Sequence, residues 1–124
     1  MSKSLLIIDD CMPIHKLIKA QLESEHLTIH SAYDGESGLA AVTILQPGLL
    51  LLDVDMPGID GFEVYRRLKA DPQTADIPVV FLSVISGLHN RLKAVDIGAL
   101  DYVSKPFKPR ELRARVNAVL HLRN

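Results

Sequence analysis

The chain has little of several things, and each shortage excludes a class of protein. Its one cysteine, Cys11, has no partner for an intramolecular disulfide, which suits a reducing compartment and makes the cytoplasm the default location. Neither sign of charge is in excess: Lys and Arg total 14 against 15 for Asp and Glu. No whole-protein field therefore draws the chain to nucleic acid or to an anionic membrane, and neither direct nucleic-acid binding nor membrane association is expected. No apolar run approaches the roughly 18 residues of a membrane span. Met1-Ser2-Lys3-Ser4 leads straight into a short run closed by two acids, which is not a signal peptide. Low-complexity segments and a second domain are also missing. With 124 residues, a 48% hydrophobic share and only 7 Gly and 7 Pro, the expectation is one domain, 1–124, that buries a core without disulfide or metal staples.

What is present is a series of apolar runs that stop at polar residues. The longest is Leu49-Leu50-Leu51-Leu52, ending in Asp53 and followed by Val54-Asp55-Met56-Pro57-Gly58. It reads as a strand buried on both faces whose last residue emerges at a sheet edge. Leu5-Leu6-Ile7-Ile8 closed by Asp9-Asp10 repeats the pattern, and Pro78-Val79-Val80-Phe81-Leu82 ends in the hydroxyl of Ser83. Residues 27–32 and 101–104 supply two more strands, the last running into Lys105-Pro106. Between the strands lie helical faces. Ile14, Leu17, Ile18 and Leu22 follow Pro13 on one face, with Lys16, Lys19 and Glu23 on the other. Asp34 caps a helix through about Leu45, and Phe62, Val64, Tyr65 and Leu68 mark a third. Leu88, Leu92 and Val95 mark a fourth that stops at Gly98. Leu112, Val116, Val119 and Leu120 mark a fifth, with Arg110, Arg113 and Asn117 outward. The polar, proline-broken stretch 70–77 is a loop.

Five alternating strand-then-helix units imply an α/β fold, a five-stranded parallel sheet, doubly wound, in a single (βα)5 domain. Such sheets bind ligands outside the carboxyl ends of their strands, where the winding reverses. Asp9, Asp10, Asp53, Ser83 and Lys105 all stand at such ends. Carboxylates gathered there need a cation, because two like charges about 4 Å apart repel by roughly 4 kcal/mol at an effective dielectric of 20. Carboxylate oxygens, a backbone carbonyl and water match Mg²⁺, with Asp10 and Asp53 as direct ligands and Asp9 acting through water. Mg²⁺ beside an aspartate, a hydroxyl and an ammonium is equipment for phosphoryl transfer, with Asp53 the nucleophile and Lys105 and Ser83 on the phosphoryl oxygens.

Taken singly, each of these residues has a plainer reading: a helix-capping aspartate for Asp53, a solvated turn for Asp9-Asp10, a surface lysine for Lys105, a satisfied hydroxyl for Ser83. His26 and His30, four apart in a predicted strand, read as surface histidines, and Cys11 as packing. In combination the pattern resembles the receiver domains of two-component response regulators over nearly the whole chain. The resemblance rests on Asp9-Asp10, Asp53 with Met56-Pro57-Gly58 and Asp60-Gly61, Ser83, Tyr102 and Lys105-Pro106-Phe107, in that order.

The resemblance implies a flavodoxin-like fold and a phosphoacceptor switch, not an enzyme beyond its own phosphorylation and dephosphorylation. It implies a phosphohistidine donor, a histidine kinase or phosphotransfer protein, that transfers to Asp53. It implies that the backbone carbonyl of Asp55 joins Asp9, Asp10 and Asp53 around Mg²⁺, that Ser83 and Tyr102 carry the switch, and that the peptide before Pro106 is cis. Output would pass through the face formed by the fourth helix, fifth strand and fifth helix, to an effector domain, a partner or a second copy. The sequence departs from the family at Val84, where a very small residue is usual and where a branched side chain is expected to slow exchange with small phosphodonors. Asp55 also occupies a variable position that tunes the lifetime of the phosphoryl group.

A phosphatase of the haloacid dehalogenase type is the competing expectation, since Asp53-Val54-Asp55 matches its Asp-x-Asp core with Mg²⁺. Pro57 stands where that family has threonine, and the acidic pair precedes the nucleophile strand. The chain ends at Asn124, just after the last helix, so it reads either as a stand-alone regulator or as a piece of something larger. A receiver-like module that binds partners without phosphorylation is the third reading, and the complete set of five site residues argues against it.

Overall fold

A computed structural model of the chain describes residues 3–84, 101–105 and 108–122, with the backbone alone at Ser24, Ser83, Val84, Asp101, Tyr102, Ser104, His121 and Leu122. The fourth expected helix and the Lys105–Pro106 peptide therefore lie outside the described residues. The strands are β1 (Ser4–Ile8), β2 (Thr28–Ala32), β3 (Leu49–Asp53), β4 (Val79–Val84) and β5 (Asp101–Lys105). They form one parallel sheet in the order β2-β1-β3-β4-β5. Four α-helices are seen among the described residues: α1 (Met12–Gln21), α2 (Gly35–Leu45), α3 (Gly61–Ala70) and α4 (Pro109–Leu122).

The order dictates where the winding reverses. From β1 the chain steps to β2 on one side, then crosses back over β1 to β3 and continues outward through β4 to β5. β1 and β3 are thus neighbours whose connections leave in opposite directions, and loops following them diverge to open a crevice at their carboxyl ends. Ile8 stands opposite Leu52, so the residues that follow them, Asp9 and Asp53, leave the sheet side by side.

The four leucines of β3 explain why this strand is central. Leu50 and Leu52 join Leu6, Ile8 and Phe81 beneath α2 and α3, where Val42, Val64 and Leu68 meet them. Leu49 and Leu51 point the other way, into a second cluster with Ile18 of α1 and Leu112 and Val116 of α4. Both faces of the strand are covered, and each leucine so buried contributes about 1.5–3 kcal/mol. Helix starts are set locally: the Asp34 carboxylate accepts from the Ser37 amide at 2.7 Å, and the Asp60 carboxylate from the Glu63 amide at 2.9 Å.

Four details differ from the sequence reading. Leu17, expected on the inward face of α1, is 40% exposed, and His15, two positions before it, is buried instead. Asn117 does not face solvent freely but donates to Glu25 at 2.6 Å, tying α4 to the 3₁₀ turn Glu23–Glu25. His26 closes that turn with a φ of 56° and precedes β2 instead of lying in it. Cys11 is exposed, not packed, and stands as the N-cap of α1.

Candidate functional site

The crevice is built from strand ends. Asp9 follows β1 with no exposed surface, Asp53 closes β3 with 4% exposed, and Asp10 stands in solvent beside them. Each offers a carboxylate oxygen, and the three oxygens lie within 4.8 Å of one another. Lys105 comes from the last residue of β5, two strands away from β3. Its long side chain reaches back across the end of β4, and its Nζ donates to Asp9 Oδ2 at 2.9 Å and to Asp53 Oδ1 at 3.0 Å. One ammonium thus serves two buried carboxylates, and with Asp10 the three acids outnumber the lysine.

The electrostatics follow from that count. Burial pushes the Asp53 carboxyl up to about 6, the Asp9 charge adds to the rise, and the Lys105 ammonium opposes both. For Lys105, burial works against the charged form, but hydrogen bonds to Asp9 and Asp53 and their charges outweigh it and hold the ammonium above its ordinary range. The site therefore carries a surplus of negative charge at neutral pH. Its donor atoms are all hard oxygens, a set that suits a hard divalent cation such as Mg²⁺ and not a soft one.

The backbone around Asp53 is closely fitted. The Val54 amide donates to the Leu82 carbonyl of β4 at 3.1 Å, and the Gly61 amide donates to the Val54 carbonyl at 2.9 Å, folding α3 back against the end of β3. A Cβ at residue 61 would run into the Asp53 carbonyl oxygen and the Val54 Cα, so only glycine permits this return. Asp55 lies exposed in the intervening loop, and Gly58 turns it with a φ of 78°. Asp9 is held as firmly: its amide donates to the Ala32 carbonyl at 3.2 Å, and its Oδ1 accepts from the Cys11 amide at 2.9 Å.

Of the residues singled out in the sequence, the structure brings together Asp9, Asp10, Asp53 and Lys105. The backbone of Ser83 continues β4 one step past Leu82, which pairs with Asp53, and Val84 pairs with Lys105. Tyr102 pairs with Phe81 further down the same ladder. The side chains of Ser83, Val84 and Tyr102 and the Pro106 peptide lie outside the described residues. One contributor was not anticipated. His15 is buried on α1, with Nε2 at 2.7 Å from the Asp9 carbonyl oxygen and Nδ1 at 2.8 Å from Ser31 Oγ. Its signal in the sequence was a histidine at helical spacing from Ile18 and Leu22, on the face assigned to apolar residues.

The chain matches the response regulator receiver domain family over residues 5–117. It is similar to the DNA-binding dual master transcriptional regulator RpaA of Synechocystis sp., with 42% identity over 116 residues that make up 94% of this chain and 48% of that protein. It is 40% identical over 119 residues to the response regulator PleD of Caulobacter vibrioides, covering 96% of this chain and 26% of that one. The chain thus spans about half the length of the first relative and about a quarter of the second. Among solved structures, the receiver domain of NtrX from Brucella abortus superposes with a TM-score of 0.86 at 30% identity, over 94% of this chain and 98% of that one. No helix among the described residues is long and apolar enough to cross a membrane.

Proposed function

The chain belongs to the response regulator receiver domain family, the signalling modules of two-component systems, and on that premise we propose that it is a phosphoacceptor switch in which Asp53 takes a phosphoryl group from a phosphohistidine. The donor is a histidine kinase or a phosphotransfer protein. An Asp53 carboxylate oxygen attacks phosphorus in line with the N–P bond. The O–P bond of an acyl phosphate forms as the N–P bond breaks, and the donor imidazole leaves with the bonding pair. Above a pH of about 6 Asp53 is mostly ionised and ready to attack.

Asp9, Asp10, Asp53 and the backbone carbonyl of Asp55 hold Mg²⁺, which when bound neutralises charge on the phosphoryl oxygens. Lys105, already in contact with both buried carboxylates, pairs with a phosphoryl oxygen, and Ser83 donates a hydrogen bond to another. Ser83 and Tyr102 relay the change, Asp55 and Val84 tune the rates, and the peptide before Pro106 is cis. Residues 1–124 form one domain of doubly wound α/β type. It works in the cytoplasm. Its output passes through the face expected of the fourth helix of the sequence reading, β5 and α4 to a further domain, a partner or a second copy; light scattering before and after phosphorylation tests the last of these.

The observation that carries this reading is the shared contact of Lys105 with Asp9 and Asp53 at the carboxyl ends of β1 and β3. Incubation with Mg²⁺ and acetyl phosphate, or with a phosphorylated donor, followed by intact mass measurement, should give one phosphoryl adduct that D53N does not form. No adduct from either donor would leave a binding module without phosphorylation. Sustained turnover of a generic phosphomonoester, dependent on both Asp53 and Asp55, would favour the phosphatase instead.

A further inference from the structure

We propose that His15 is a positioning residue of the acidic site, aiming the cation-binding carboxylates through the Asp9 carbonyl. The inference rests on the reading above, in which Asp9, Asp10 and Asp53 hold Mg²⁺. His15 is 1% exposed, and both ring nitrogens are engaged. A carbonyl oxygen can only accept, so Nε2 donates to Asp9 at 2.7 Å whichever role Nδ1 plays with Ser31 at 2.8 Å. The Tyr33 ring lies against the imidazole with centroids 4.4 Å apart. Three elements thus meet on one ring: the end of β1, the first turns of α1 and the end of β2.

What His15 grips is the peptide that joins the two acids. The Asp9 carbonyl and the Asp10 amide share one rigid plane, so fixing that oxygen fixes the direction in which the Asp10 Cα leaves the sheet. Asp10 stands beyond the last paired residue of β1, Ile8, and its carboxylate is exposed. The other restraints on Asp9, from Ala32, Cys11 and Lys105, hold its amide and its side chain but leave the following plane free to rotate. His15 removes that freedom.

Packing alone does not account for the choice. Burying an imidazole is unfavourable without partners, while Leu17 on the same helix is left 40% exposed. The chain has turned the polar side chain inward because the acceptor it meets belongs to the site.

The test uses two substitutions that separate the ring's two bonds. In H15Q the amide nitrogen can replace Nε2 and still donate to the Asp9 carbonyl. In H15N the shorter side chain reaches the Ser31 side and leaves that carbonyl unbonded. Mg²⁺ affinity is measured by calorimetry on the folded proteins, and phosphorylation by acetyl phosphate is followed as a function of Mg²⁺. H15N should bind Mg²⁺ roughly ten- to a hundredfold more weakly, with the half-saturating Mg²⁺ raised and the rate at saturation little changed. H15Q should stay within about threefold of the wild type. If H15N does not fold, H15M replaces it, filling volume without donating, and the same weakening is expected. Equal affinity in H15N and the wild type, or equal weakening in H15Q and H15N, overturns the proposal and leaves His15 a packing residue. A wild type that fails to bind Mg²⁺ overturns the metal reading itself, and the inference falls with it.

Discussion

Replacing Asp53 by asparagine should make the metal-free protein more stable, and by an amount that depends on pH in a way the site geometry dictates. Asparagine matches aspartate in shape but brings no charge into a position that is 4% exposed and shared with Asp9. The Asp53 carboxyl titrates near 6 in the folded chain against an ordinary value of 3.8. The folded state therefore holds this proton more tightly than the unfolded state does. Its contribution to stability is fully present below a pH of about 4 and is lost as pH rises to about 6, with a slope of about 1.4 kcal/mol per pH unit. The difference of about two units corresponds to a loss of about 3 kcal/mol above that window. Lys105, held charged above its ordinary range, does not titrate there, and groups common to both proteins largely cancel in the difference. Urea unfolding in EDTA between pH 4 and 8 measures it. The gap between D53N and the wild type should widen by about 3 kcal/mol from pH 4 to pH 7, or about 1–2 M in midpoint for an ordinary urea dependence. A gap that stays constant across this range would refute the reasoning, since it would mean that Asp53 is ionised in the fold at no cost.

Removing the cation should do the opposite. K105M leaves Asp9 and Asp53 buried with no ammonium between them, and a loss of about 3 kcal/mol at pH 7.5 is expected in EDTA, shrinking toward pH 5 as Asp53 takes up a proton; chemical denaturation at the two pH values checks it. D10N should melt at a higher temperature than the wild type without Mg²⁺, because a like charge is gone, and should gain less on adding Mg²⁺; equal gains would count against Asp10 as a ligand. G61A should be destabilised by at least about 2 kcal/mol, since a Cβ there meets the Asp53 carbonyl. Its yield of phosphoprotein should also fall at saturating Mg²⁺, as read by intact mass on the folded fraction.

The parts of the fold that could be read from sequence are those governed by neighbours in the chain. Leu49 to Leu52 had to be covered on both faces, and the abrupt change to Asp53 marked where the strand met water. Asp34 capped a helix within three residues of itself, whereas the like cap at Asp60 was not singled out. The site was legible as a set of strand ends only once the parallel sheet was assumed, because Lys105 and Asp9 are 96 positions apart. No local pattern joins them; the assumed sheet supplied the link, and the resemblance to a family added the roles. His15 escaped for a related reason. Helical periodicity counts apolar residues and favoured Leu17, whereas the burial of an imidazole depends on acceptors donated by β1 and β2, which periodicity on α1 cannot register. Asn117 escaped likewise, its partner Glu25 lying in a 3₁₀ turn far back in the chain.

The strand order has a mechanical consequence. β1 and β3, which deliver the acids, are each flanked by a paired strand on both sides, while β5, which delivers Lys105, is paired among the described residues only with β4. The anions are mounted on interior strands of the sheet and the ammonium on its edge. If Asp53 takes up a phosphoryl group as proposed, the balance of attraction on Lys105 changes, and of the strands bearing the site the one at the margin of the sheet has the fewest pairings to resist a shift. The consequence of this strand order is that a signal begun among the acids would be carried by one side chain to the edge of the sheet.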